Sequence, residues 1–167
     1  MAKQLIQSTH TRIKRLAYYQ IAGGILGVLV LIFALFQMET LDLQVIGVFT
    51  MASVFFSFSI YCGLLLTKPN HLLGLRLSKI NQLVQVFSFN LFGLALKYIS
   101  GICLGFFLKD NSEFFIGFNF SLSTFEILLK SSPEEISVGV NLLAVYLIYH
   151  IISIESDLEQ IANYLKN

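Results

Sequence analysis

The chain has 167 residues, with 11 Lys and Arg against 10 Asp and Glu, a formal net charge of +1, 56% hydrophobic residues and only 13% charged ones. Soluble domains carry about 25% charged residues, so this composition excludes an ordinary soluble domain. The basic residues are too few and too scattered for nucleic-acid binding, which needs a clustered cationic face.

A membrane-crossing helix needs about 20 mostly apolar residues, and four stretches meet that length. The first, 16–36, follows a tail (1–15) holding Lys3, Arg12, Lys14 and Arg15. That start is signal-like, but Phe36-Gln37-Met38-Glu39 offers no small-residue cleavage site, so it reads as a retained span. The second, 45–66, contains no charge. A loop at 67–81 follows, in which Leu72, Leu73, Leu75, Leu77 and Ile80 mix with Arg76 and Lys79. It reads as a short interfacial helix. The third stretch, 82–108, holds one charge, Lys97, and the fourth covers 134–153. The expectation is an all-α integral membrane protein, a single four-helix bundle.

Charge orients that bundle. Lys3, Arg12, Lys14, Arg15, Lys68, Arg76, Lys79 and Lys166 fall on one side, and only Lys109 and Lys130 on the other. The positive-inside rule then puts both termini in the cytoplasm. Tyr18, Tyr19, Tyr61, Tyr146 and Tyr149 fall at the same end of their spans, where tyrosine prefers the headgroup level. Compactness and the lack of organelle signals point to a bacterial cytoplasmic membrane.

The segment 109–133 is the one sizeable stretch between spans on the far side. Phe114, Ile116, Phe118, Phe120 and Leu122 alternate with Phe115, Gly117, Asn119, Ser121 and Ser123, which predicts a strand. The reading is a hairpin turning near Ser121–Thr124. Phe114, Phe118, Phe120 and Phe125 form a candidate partner surface, because exposed apolar patches mark interaction sites and an open strand edge accepts a partner strand. Ser132, Pro133 and Glu135 resemble a helix start. A rival reading takes Ile136, Val138 and Val140 as a short strand. In the tail 154–167, Ile154, Leu158, Ile161 and Leu165 form one apolar helical stripe, best placed against the chain's own 67–81 loop.

Lys97 is the only charge predicted inside a span, and none of the four spans brings an acid to it. Either it snorkels to the interface or it faces the bundle interior along Asn90, Gly93, Gly101 and Gly105, which share a helical face. Asn141 is a partner for it in that case. Gln85 and Asn90 are amides that need partners below the interface. Gly23 and Gly27, like Gly101 and Gly105, have the spacing of close helix contacts, within the chain or in a homo-oligomer.

Chemistry is otherwise absent from the sequence. His10, His71 and His150 match no metal spacing. Cys62 and Cys103 are too few for a disulfide framework and form no C-x-x-C. No phosphate loop, nucleophile elbow or zinc-protease motif occurs. The expectation is a non-enzymatic accessory, assembly or regulatory subunit of a membrane complex, with no cofactor or metal, in contact with lipid and with other membrane proteins. The alternative is a small transporter or channel using Lys97.

Overall fold

The computed structural model describes residues 2–38, 42–69, 71–91, 94–110, 114–129 and 136–166, with backbone alone at 2, 3, 91, 94, 109, 110, 114, 128, 129 and 166. In chain order the elements are α1 (Ala2–Phe36), α2 (Leu43–Thr67), α3 (His71–Val86), β1 (Phe87–Leu91), β2 (Leu94–Asp110), β3 (Phe114–Leu129), β4 (Ile136–Asn141) and α4 (Leu142–Lys166). Two helices, Gln4–Phe36 and Leu43–Thr67, are long and apolar enough to cross a membrane by length and composition.

The all-α four-span bundle is therefore wrong. Residues 82–108 are the end of α3, all of β1 and most of β2, and residues 136–153 are β4 followed by the first half of α4. The reason is visible in the residues. Phe87, Phe89 and Leu91 alternate with Ser88 and Asn90; Ile136, Val138 and Val140 alternate with Ser137, Gly139 and Asn141. Period two suits a pleated strand and would wrap polar groups all round a helix. The short-strand reading of Ile136, Val138 and Val140 is the correct one. The strand reading of 114–129 also holds, but β3 runs unbroken past Ser121–Thr124, and its hairpin partner is β2, not its own second half. The helix read from 67–81 is α3, although it extends to Val86.

α1 and α2 form an antiparallel hairpin. Gly24 lies against Phe56 and Ile60, Gly27 against the Phe56 ring, and Gly63 against Ala17 and Ile21, each too close for a β-carbon. Asp42 caps α2, its Oδ1 accepting the Val45 N–H at 2.7 Å. At the charged end, all four helices enclose a core of Ile13, Leu16, Ala17, Leu66, Leu75, Leu147, Ile151 and Ile154. Ion pairs join Arg12 to Asp157 and, at 2.8 Å, Lys79 to Glu155. The stripe of Ile154 and Leu158 thus docks on the chain itself, while Leu165 stays exposed. Both described ends of the chain lie at this end of the molecule.

The four strands pair in the order β1-β4-β2-β3, and β1 also pairs with β2. β1 is antiparallel to β2 and to β4, yet β4 is antiparallel to β2 as well. No flat sheet satisfies all three pairings. They become compatible because β2 reverses direction at a bulge between Ile99 and Ile102, where Ser100 and Gly101 face the single residue Ser123. Gly101 takes φ +103° and Ser123 φ +21°, the positive-φ backbone that bulges demand. β2 and β3 therefore form a V, whose first arm (94–99 with 124–129) pairs with β1 and whose second (102–110 with 114–122) pairs with β4.

Candidate functional site

Two groups of polar residues stand out, one buried at the vertex of the V and one half-buried to exposed in its concavity. At the vertex, α1 and β2 touch through glycines. A β-carbon on Gly23 would lie 2.6 Å from the Gly101 nitrogen and 2.8 Å from its Cα. The Gly101 N–H donates to Ser123 Oγ at 3.0 Å, and Ser123 Oγ donates to the Gly23 carbonyl at 2.9 Å. The Tyr19 hydroxyl donates to the Ile102 carbonyl at 3.2 Å and accepts the Ile102 N–H at 3.1 Å. The backbone groups freed by the bulge are thus taken up by α1.

Beside the vertex, neutral side chains from three helices and one strand join in a chain. Gln20 Nε2 donates to Ser78 Oγ at 2.8 Å, and Gln20 Oε1 accepts from Asn81 Nδ2 at 3.2 Å. Asn81 also donates to Ser59 Oγ at 3.2 Å, and Ser100 Oγ lies 2.8 Å from that same hydroxyl. Gln85 Oε1 accepts the Ser100 N–H at 2.8 Å. The Tyr98 hydroxyl sits 2.8 Å from the Phe55 carbonyl and 3.1 Å from Asn81 Oδ1. These groups are buried and uncharged, so they satisfy one another without the desolvation cost of ions. Gln82 is the exception: both amide atoms are buried with no partner among the described residues.

The second group lines a cavity of about 290 Å³ in the concave side of the sheet, bounded by β1, β2, β3 and β4. Ser88, Asn90, Lys97, Asn119, Glu126 and Ser137 supply its polar wall, with Gly105 and Gly139 leaving room. Register sorts the two faces. Lys97 opposes Glu126, Asn90 opposes Ser137, Gly105 opposes Asn119 and Cys103 opposes Ser121 on the concave side. Leu104 with Phe120, Phe106 with Phe118 and Leu108 with Ile116 oppose on the convex side.

The predicted residues are dispersed by this geometry. Lys97 has the acid partner denied to it by the four-span layout: Nζ lies 3.9 Å from Glu126 Oε1, because β2 and β3 pair in register. Asn90 and Gly105 share its cavity. Gln85 belongs to the vertex network. Asn141 does not line the Lys97 cavity; its Oδ1 accepts the Leu143 N–H at 3.1 Å and caps α4. The helix start thus falls there, and Ser132, Pro133 and Glu135 lie outside the described residues. Gly23 meets Gly101, and Gly27 meets Phe56; Gly93 lies outside the described residues. Phe118 and Phe120 are 82% and 65% exposed. Phe125 instead stacks on Phe55, 5.8 Å between centroids, in a cluster with Tyr98, and the Phe114 side chain is outside the described residues. Gln20, Ser78, Asn81, Asn119 and Glu126 are not marked as site residues by the sequence pattern, and Ser59, a candidate partner of Lys97 on that pattern, bonds instead to Asn81 and Ser100; a polar residue flanked by apolar ones, as Gln20 is, is the available signal.

At the charged end, His10 and His71 have ring centroids 6.0 Å apart. His150 stacks on Tyr146 and holds Nδ1 3.4 Å from Arg12 Nη2. Burial and the Arg12 cation push its pKa below the ordinary value, with Asp157 opposing them. The chain matches no known family model, no curated protein and no solved structure.

Proposed function

We propose that the protein is a non-enzymatic contact subunit of a membrane complex, serving assembly or regulation, with the α1–α2 hairpin as its anchor and β3 as the strand that receives a partner. One observation carries the reading. Among the described residues, β1, β2 and β4 each pair with strands on both sides over part of their length, whereas β3, 16 residues long, pairs with β2 alone and leaves its outer edge without a strand. Long, apolar open edges are templates for another strand and are normally blunted by proline, lysine or a cover. β3 has no proline or lysine, and Phe118 and Phe120 stand exposed beside the edge. Pairing by strand addition draws affinity from the backbone and specificity from alternate side chains. The excess of Lys and Arg at the helical end supports a cytoplasmic location for both termini, in a bacterial cytoplasmic membrane.

Native mass spectrometry after gentle detergent extraction tests the reading. The wild type is expected in complex with a second polypeptide. Backbone N–H groups along a strand point alternately to its two edges, so one of Phe118→Pro and Asn119→Pro removes only an outward donor. That variant is expected to keep the fold and lose the partner, while Tyr164→Ala on the α4 tail keeps both. A wild-type protein that leaves the membrane alone, or a complex indifferent to both prolines, overturns the proposal.

A further inference from the structure

The convex face of the second arm is apolar and bare. Among the described side chains it presents Leu104, Leu108, Ile116, Phe118, Phe120 and Leu122, all exposed by more than a third, and none of them is charged. The concave face carries the serines, asparagines, Lys97 and Glu126. A water-borne sheet has the opposite arrangement, apolar toward its core and polar outward. Apolar-out, polar-in is the pattern of strands whose outer solvent is hydrocarbon.

Position in the molecule says the same. The V touches α1 at Gly23, and its first arm rises along the hairpin, where Tyr98 and Phe125 pack with Phe55, Val28 and Leu31. From Gly23 to Phe36 α1 climbs about 20 Å at 1.5 Å per residue. The second arm of β2, Ile102 to Lys109, covers about 23 Å at 3.3 Å per residue, alongside β4. Sheet and upper hairpin therefore occupy one slab. In that slab the hairpin is equally bare, with Leu29, Phe33 and Phe36 exposed. Below it lie the exposed rings of Tyr18, Tyr61, Tyr146 and Tyr149, side chains that favour the headgroup level.

We infer that the convex face of the second arm of the β-sheet is a lipid-facing surface, immersed in acyl chains beside the helical hairpin, with the Lys97–Glu126 cavity on the opposite, inner side. The inference rests on the hairpin crossing the membrane. It also sharpens the role given to β3: an open strand edge is not tolerated in hydrocarbon, so the partner strand must itself lie at membrane depth.

The chain contains no tryptophan, so single-tryptophan variants report position directly. Phe118→Trp and Phe120→Trp, each with Phe33→Trp on α1 and Tyr164→Trp on the α4 tail as references, are reconstituted in phosphatidylcholine vesicles with acyl chains dibrominated near mid-depth. Fluorescence at 118 or 120 is expected to be quenched by bromolipid to at least half the extent seen at 33, and to be spared by aqueous iodide, which quenches at 164. Iodide quenching at 118 and 120 without bromolipid quenching overturns the inference. So does protection from both quenchers, which shows a protein covering the face. If Phe33→Trp itself escapes bromolipid, the anchor reading has failed and the inference falls with it.

Discussion

The vertex network buries its polar groups, whereas the sheet concavity leaves its own half-buried or exposed, and the two are built to different ends. At the vertex, Gln20, Ser59, Ser78, Asn81, Gln85 and Ser100 bond to one another, and the donors of the bulge are taken by Ser123 and Tyr19. Donors and acceptors are consumed internally, so this region locks α1, α2, α3 and β2 in one arrangement. In the concavity the polar side chains face a cavity, and the Lys97–Glu126 pair is loose at 3.9 Å. A closed network specifies a fold; polar groups left around a space hold capacity for something else. The contrast teaches that the polar residues of this chain are not one site spread thin.

The largest effect that tests this contrast is expected at the vertex. Gly101→Val places a branched side chain at φ +103° against the Tyr19 hydroxyl, 2.7 Å from the new Cβ. Backbone strain of about 1–3 kcal/mol adds to overpacking of about 1–3 kcal/mol, so thermal unfolding in detergent should show a loss of about 4 kcal/mol. A variant as stable as wild type removes the claim that the bend depends on glycine. Next come two glutamines. Gln20→Leu strands the Ser78 and Asn81 groups and should cost about 2 kcal/mol, since an orphaned buried partner costs about 1–3 kcal/mol. Gln82→Leu removes a buried amide that has no described partner and should stabilise by about 1 kcal/mol. Equal signs for the two would show that Gln82 has a partner of its own.

The smallest effect concerns the helical end. The folded pKa of His150 lies below the ordinary 6.5. The unfolded chain therefore binds the proton more readily, and the contribution of His150 to stability is full above about pH 6.5 and lost as pH falls through the folded value. Arg12 and Asp157 face the ring from α1 and α4. The melting temperature of the wild type should fall between pH 7.5 and 5.5, and His150→Gln should flatten that fall; parallel curves would rule out His150 as its source.

Much of the molecule is legible in its residues. The two long apolar helices, the strand at 114–129 and the apolar stripe of α4 all follow from local pattern. Residues 82–108 mislead because apolar content alone does not separate a spanning helix from a buried strand. The Ser88 and Asn90 interruptions carry the period of two, and the Gly93, Lys97, Gly101, Gly105 spacing imitates a helical face. Lys97 looks isolated for the same reason: its acid lies 29 positions away in sequence (Glu126) and arrives only through strand register.

The sequence by itself determined the two long apolar helices and the alternation of the strands, because each is a property of neighbouring residues. Only the tertiary structure decided which polar groups bond to each other, where β2 turns back, and that β3 keeps an edge to offer. Those outcomes depend on contacts between residues far apart in the chain, and short-range periodicity holds no record of them.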